Sequence, residues 1–262
     1  MKISIITICF NNEADIRPTI ESVVNQTYPD IEYIIVDGAS KDKTLDIVNA
    51  YQSQISKIIS EPDKGLYDAI NTGIQNATGD VVGLIHAGDR LYGNHVIEKL
   101  AKHFEENDID ISYGYAVTYN QNDKIVRIGK TPEYHRTLVR LGWMPSHQSI
   151  YIKREIFDLY GYYNLNFHPY SDYELFVRFF YFTELKIKKI DLYVNKFYLG
   201  GISTNSTKRK LKLRKLILDV WRCHGQNPPP FLLITKTLWV IWRNMCAFCY
   251  NLKLMVYSKH NN

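Results

Sequence analysis

The chain has 262 residues, 45% of them hydrophobic and 23% charged, the composition of an ordinary globular protein. That length buries one large core or two modest ones, so a single main domain with an appendage is expected. The net charge of +5 is unevenly placed: from Lys208 onward eleven Lys or Arg stand against one acid, Asp219, a net of +10, which leaves −5 for residues 1–207.

A basic tail on an acidic body points to an anionic partner, with a solvated helix face as the plainer alternative. The cysteines at 9, 223, 246 and 249 have no disulfide-framework spacing, which suits reduced thiols. Cys246 and Cys249 form one C-x-x-C without the second pair that a zinc site needs. Ile3 to Phe10 is a short β-like run followed by Asn11-Asn12 rather than a signal-peptide pattern, so a cytoplasmic location is expected.

Ile3 to Ile8 reads as a buried strand. Asn11-Asn12 is a capping signal for a helix carrying Ile16, Ile20 and Val23, and Pro18 suits its first turn. Tyr33 to Asp37 is a second strand, and Gly38 to Asp42 turns into a helix with Leu45 and Val48. Ile58-Ile59 is followed by the breakers Pro62 and Gly65, then by a helix from Asp68 to Ala77 with Ile70 and Ile74 on one face. Gly79-Asp80 ends that helix, and Val81 to Ile85 is a continuous apolar run of strand length. Strand and helix alternate throughout, the rhythm of a parallel, right-handed βαβ sheet.

Ligands in such sheets bind at the carboxyl ends of the strands, where Asp37 and the sequence His86-Ala87-Gly88-Asp89 stand. Asp37 is equally readable as a turn residue. No G-x-G-x-x-G or Walker sequence occurs, which argues against dinucleotide or P-loop chemistry.

After Asp89 a helix is expected from Val96 to Phe104, then a strand pair over Ile109–Thr118 and Lys124–Ile128, and from about residue 115 the βαβ rhythm stops. Pro145-Ser146-His147-Gln148 precedes the apolar Ile150-Tyr151-Ile152. Ser171 reads as the N-cap of a helix with Leu175, Phe176, Phe179 and Phe180 turned inward. Asp172 then lies in the first turn, where free N–H groups favour negative charge. Gly200 and Gly201 beside Ser203 suit either a close approach to phosphate or a simple turn. Beyond Lys208 a basic amphipathic start, Pro228-Pro229-Pro230 and an aromatic-rich segment follow. That segment is too interrupted by polar residues to span a membrane. Lying in a headgroup plane and docking on the catalytic domain are both open.

These stretches carry a resemblance. Ser60-Glu61-Pro62-Asp63-Lys64-Gly65-Leu66-Tyr67-Asp68-Ala69-Ile70-Asn71, the strand-end His86-Ala87-Gly88-Asp89 and Val36-Asp37-Gly38-Ala39-Ser40-Lys41-Asp42-Lys43-Thr44 are similar to motifs of the family 2 glycosyltransferases of bacterial surface-polysaccharide assembly, such as those of colanic acid, O-antigen and capsule. The resemblance covers roughly residues 1–207. It implies a GT-A nucleotide-diphospho-sugar transferase fold, an α/β fold with a mostly parallel central sheet flanked by helices. Residues 1–114 would form the nucleotide-sugar-binding half, 115–207 the acceptor half and 208–262 a basic helical tail.

The resemblance further implies inverting hexosyl transfer with Asp172 as catalytic base, Glu174 beside it as the reserve candidate, and Asp89 as the ligand of Mg2+ or Mn2+. Thr7, Phe10, Glu13, Asp37, Asp63, Lys64, Asp68, His86 and Gly88 would face the donor. His147, Gln148 and Glu174 would face the acceptor, and Gly200, Gly201 and Ser203 would form a phosphate loop. Gly88 departs from the family, which commonly carries a ribose-binding acid there. The implied partners are a nucleotide-diphosphate sugar and a lipid-linked or oligosaccharide acceptor at the inner face of the cytoplasmic membrane, with no nucleic acid. Two rivals stand beside this reading. A nucleotidyltransferase would carry a Gly-rich, Arg-containing loop after the first strand, and Thr7 to Asn11 has neither. A degenerate carbohydrate-binding subunit is suggested by Gly88 and opposed by Asp37, Asp89 and Asp172.

Overall fold

A computed structural model describes residues 1–120, 125–128, 131–198, 207–242 and 245. Four strands, β1 (Ile3–Cys9), β2 (Ile31–Asp37), β3 (Lys57–Ser60) and β4 (Val81–Leu84), form a parallel sheet in the order β3-β2-β1-β4. Their apolar alternation sends residues to two opposite cores. Ile6 and Ile8 of β1 and Ile34 and Val36 of β2 join one buried cluster, while Ile3, Ile5, Tyr33 and Ile35 join the other. Helices α1 (Ile16–Val24), α2 (Thr44–Asn49) and α4 (Val96–Glu106) cover the second face, and α3 (Leu66–Asn76) covers the first. Truncating a fully buried member such as Ile6 to Ala would cost roughly 2–5 kcal/mol.

Beyond β4 the sheet becomes mixed. Strand β8 (Ile150–Lys153) runs antiparallel to β4, and β6 (Ile111–Tyr119) antiparallel to β8. Strand β9 (Ile187–Tyr198) lies parallel to β6, and the short β5 (Arg90–Leu91) closes the row antiparallel to β9. Strand β7 (Ile125–Ile128) pairs antiparallel with β6, as the sequence suggested. The βαβ rhythm therefore stops where expected, because β8 and β9 return through the sheet from far along the chain.

On the first face, short helices α5 (Arg136–Arg140) and α6 (Arg154–Tyr160) accompany α7 (Ser171–Tyr181), whose Leu175, Phe176, Phe179 and Phe180 are all buried. Tyr170 is the N-cap of α7 and gives no side-chain capping bond, so Ser171 is not the cap. The Ser171 hydroxyl instead donates to the Asn164 carbonyl at 2.7 Å, tying the preceding loop to the helix. Asn12 likewise does not cap α1; its Oδ1 accepts from the Phe10 N–H at 2.9 Å and shapes the loop ahead of the helix.

The tail begins with α8 (Thr207–Cys223), which lies along α7. Ile217, Val220, Trp221 and Leu232 belong to the same core cluster as α7, so this part of the tail is docked on the catalytic body. Residues 232–242 continue as a further helix. No helix among the described residues is long and apolar enough to cross a membrane.

Candidate active site

Strand register sets Cys9, Asp37 and Ser60 side by side at the carboxyl edge of the sheet. Asp37 is 0% exposed there. Its Oδ2 accepts from the Ser40 N–H at 3.0 Å and the Ser60 hydroxyl at 2.7 Å, and its Oδ1 accepts from the Ser40 hydroxyl. Asp37 thus spends its carboxylate on knitting two loops together. Glu13 does similar work, accepting from the Lys43 N–H at 3.0 Å.

Above this knot lies a cleft of about 290 Å³ lined by Phe10, Asn12, Asp63, Gly65, Leu66, His86 and Ala87. The Phe10 ring is 57% exposed, an unusual state for an aromatic side chain at the end of a buried strand. Gly38 is required beside it, because a Cβ at that position would stand 2.7 Å from Asp63 Oδ2 and 3.2 Å from the Phe10 ring. Asp63 Oδ1 accepts from the Gly65 N–H at 2.7 Å, and Asp68 Oδ2 accepts from the Lys64 N–H at 2.9 Å. Both acids therefore hold the loop that opens α3. Thr7 stands apart from the cleft. It is fully buried in mid-strand with its hydroxyl 3.0 Å from that of Tyr33, so the structure places it in the core rather than among donor-facing groups.

At the end of β4, Thr19 of α1 fixes the backbone: its hydroxyl accepts from the Gly88 N–H at 3.0 Å and donates to the Asp89 carbonyl at 2.8 Å. Gly88 has φ +95°, a conformation that an L-residue rarely adopts, so an acid cannot simply be restored there. Asp89 is half-buried, and burial pushes its carboxyl up to about 7, with a hydrogen bond from Gln148 drawing it partly back. Gln148 Oε1 accepts from the Ser146 hydroxyl at 2.8 Å, which leaves its NH2 for Asp89.

Gln148 and His147 share a single 3-10 turn, His147–Ser149, that joins the two halves of the site. His147 Nδ1 is 3.6 Å from Asp172 Oδ2, beyond a hydrogen bond but at ion-pair range when the ring is protonated. Burial lowers the pKa of His147, with the Asp172 charge opposing. The His86 ring centroid is 6.0 Å from that of His147. Burial and the neighbouring His147 push the His86 pKa down to about 3, and both its ring nitrogens are buried without a partner among the described residues.

Asp172, Gln148 and His147 also line a second cavity of about 310 Å³. Glu174 does not: it is 2% exposed, paired through both oxygens with Arg178 at 2.9 Å and approached by His224 Nε2 at 3.0 Å. The reserve-base and acceptor-facing expectations for Glu174 are therefore corrected. Its side chain locks α7 to the tail. Although burial works to raise its pKa, bonds from His224 and Arg178 hold the carboxyl below the usual range.

Two residues of the donor motif do work that the sequence did not reveal. Tyr67 donates to the Pro169 carbonyl at 2.9 Å, and Asn71 exchanges two 2.9 Å bonds with the Tyr163 backbone. Their i, i+4 spacing on α3 braces the loop that delivers Asp172, a signal present in the sequence but carrying no meaning without the loop. Gly200, Gly201 and Ser203 lie outside the described residues.

Asp89 is the one carboxylate of the strand-end sequence His86-Ala87-Gly88-Asp89, and no cluster of three or more His, Cys, Asp or Glu that could hold a metal ion occurs among the described residues. A single half-buried acid whose charge is costly without a cation suits Mg2+ or Mn2+ shared with phosphate oxygens and water rather than caged by protein.

A model of glycosyl transferase family 2 matches residues 4–173. A PGL/p-HBAD biosynthesis glycosyltransferase of Mycobacterium bovis is 30% identical over 217 residues, covering 81% of this chain and 83% of that protein. Among solved structures, S. aureus TarS 1–349 in complex with UDP-GlcNAc superposes with a TM-score of 0.67 at 17% identity, over 84% of this chain and 66% of that one. A mannosyltransferase from Pyrobaculum calidifontis in complex with GDP-Man and Mn2+ matches with a TM-score of 0.60 at 15% identity, over 100% of this chain and 76% of that one. The fold is that of the GT-A glycosyltransferases.

Proposed function

This chain belongs to glycosyl transferase family 2 and is a glycosyltransferase, and from that premise we propose that it transfers a sugar, with inversion, from a nucleotide-diphosphate donor to an acceptor hydroxyl. The observation that carries the reading is the His147–Gln148 pair, which brings Asp89, bonded to Gln148, and Asp172, 3.6 Å from His147, to neighbouring positions on one short turn.

The donor's base would stack on the exposed Phe10 ring, with its diphosphate directed toward His86 and Asp89. The buried, unpartnered nitrogens of His86 offer a hydrogen bond there. A divalent cation held by Asp89, when bound, supplies positive charge for the departing diphosphate. Asp172 takes the acceptor proton as the acceptor oxygen attacks the anomeric carbon; the bond from that carbon to the diphosphate oxygen breaks, and its electron pair leaves with the nucleotide. Asp37, Glu13, Asp63 and Asp68 set the loop geometry around the donor, and Tyr67 and Asn71 position Asp172.

The acceptor in this proposal is lipid-linked and belongs to surface-glycan assembly. Phe231, Ile234, Leu238, Ile241 and Met245 are exposed at helical spacing on the outer side of the tail, and the tail carries a net +10. An apolar stripe beside cations fits an anionic membrane surface at the cytoplasmic face. Co-sedimentation with anionic liposomes at low salt, lost at high salt and lost in the outward double variant Phe231→Ser, Leu238→Ser, is the expected result. No sedimentation at low salt would overturn the membrane part alone.

The transfer reading is tested by thermal shift with UDP-, GDP- and dTDP-sugars and Mn2+. A true donor at a hundredfold over its Kd stabilises the fold by about 2.7 kcal/mol. Absence of any shift across the panel would contradict it.

A further inference from the structure

The larger cavity has a wall that the family match does not contain. The match ends at residue 173, whereas Lys236, Trp239, Val240 and Trp242 of the C-terminal helix line the same cavity as Asp172. The helix is firmly seated. Lys236 Nζ lies 3.9 Å from the ring centroid of Tyr173, the neighbour of Asp172, and Trp239 rests on the main core. Gly142 opposite has no room for a side chain, since a Cβ there would stand 2.8 Å from Lys236 Cβ. Trp239 and Trp242 meet edge to face with centroids 5.4 Å apart.

The lining of the same cavity also includes Thr118, Thr131, Ser146 and Gln148, of which Ser146 and Gln148 are bonded to each other. Thr131 Oγ1 is buried without a partner among the described residues. A buried hydroxyl left unmade is costly unless a ligand completes it. Aromatic side chains sharing a cavity with small polar groups match a pyranose, which offers a flat apolar face on one side and hydroxyls around its rim. A purely hydrocarbon acceptor would leave the Thr131 hydroxyl unpaired.

We propose that the C-terminal helix is the acceptor-side wall of the active site, with Trp239 and Trp242 forming an aromatic subsite for the acceptor's sugar ring beside Asp172. The proposal rests on the transfer reading above and deepens it: the catalytic groups come from the family-matched part of the chain, and acceptor choice comes from the tail. Glu174, through its bonds to His224 and Arg178, then has a purpose as the clamp that keeps the tail over the cavity.

The test is saturation-transfer NMR on the full chain with Mn2+ and UDP or GDP, using octyl β-glucoside, octyl α-mannoside and octyl β-N-acetylglucosaminide as probes. At least one glycoside should show saturation at its ring protons. Its Kd should weaken about tenfold in Trp239→Ala and in the more exposed Trp242→Ala, the scale of one lost aromatic contact. Trp239→Phe should recover most of the affinity, and Leu159→Ser, at an exposed position of α6, should leave it unchanged. Nucleotide signals in the same tubes report separately on the donor site, so failure there strikes the transfer reading and not the wall. If no glycoside binds, or if both Trp→Ala variants bind as the wild type does, the subsite is overturned.

Discussion

The two edges of the parallel sheet treat buried charge in opposite ways. At the amino edge Glu32 is almost inaccessible and fully served: its oxygens accept from the Ser4 hydroxyl at 2.6 Å, the Thr78 N–H and hydroxyl at 2.7 Å each, and the Gly79 N–H at 3.3 Å. Burial works to raise its pKa, but these bonds together with the Lys2 charge hold it below the usual carboxylate range. At the carboxyl edge, Asp89 has one amide neighbour and a carboxyl pushed up to about 7, and His86 has no partner among the described residues. A charge that the fold satisfies is architecture, and one that it leaves wanting marks where a ligand completes the structure.

The largest effect is expected at Asp172, which lines the larger cavity beside His147. Asp172→Asn should keep donor affinity and lower turnover by about 10² to 10⁴, the share a general base commonly supplies. Wild-type turnover in that variant would move the base elsewhere; Glu174, already committed to Arg178 and His224, is not the replacement.

Glu32→Gln breaks the comparison from the other side. Stability should fall by roughly 1.5–3 kcal/mol, the worth of hydrogen bonds to a charged group, while donor affinity holds. Because the folded-state pKa of Glu32 is depressed, its contribution is present above the unfolded pKa and is lost as pH falls through the folded one. The gap between variant and wild type should therefore close below about pH 4 in urea titrations. A gap that persists in acid would assign the loss to geometry instead of charge.

A smaller effect follows from pH at Asp89. Since burial raises its pKa to about 7, the carboxylate proposed to hold the cation is depleted as pH falls through that value. Mn2+-dependent donor affinity should be about tenfold weaker at pH 6 than at pH 8, the ratio of ionised fractions on either side of the midpoint. Titration calorimetry at the two pH values checks it, and equal affinities would show that Asp89 is already ionised without the cation.

The satisfied architecture was more legible in the sequence than the site. Buried strands such as Ile3–Ile8 and Val81–Ile85 announce themselves as apolar runs, and the spacing of Ile16, Ile20 and Val23 marks a helix face, because both patterns are local. Asp89 and Asp172 were legible as acids at a strand end and a helix start. The partners that give them meaning were not, since Gln148 and His147 reach them from distant positions in the chain. Thr7 was misplaced because strand alternation turns its side chain toward Tyr33 rather than toward the cleft. Glu174 was misread because Arg178 lies one turn away, but His224 arrives 50 residues later. The tail was open between two readings in the sequence, and Trp221 decides for docking over its first part: its Nε1–H donates to the Tyr173 hydroxyl at 3.2 Å in the core.

The role proposed for the Asp89 carboxylate at the end of β4, bonded by Gln148, is that of a donor-site ligand. Isothermal titration of the donor into wild type and Asp89→Asn, each with and without Mn2+ at pH 8, measures this directly. The expected result is a wild-type affinity that rises with Mn2+ and a variant that folds normally but gains nothing from the metal. An Asp89→Asn protein whose donor affinity responds to Mn2+ as the wild type does would contradict it.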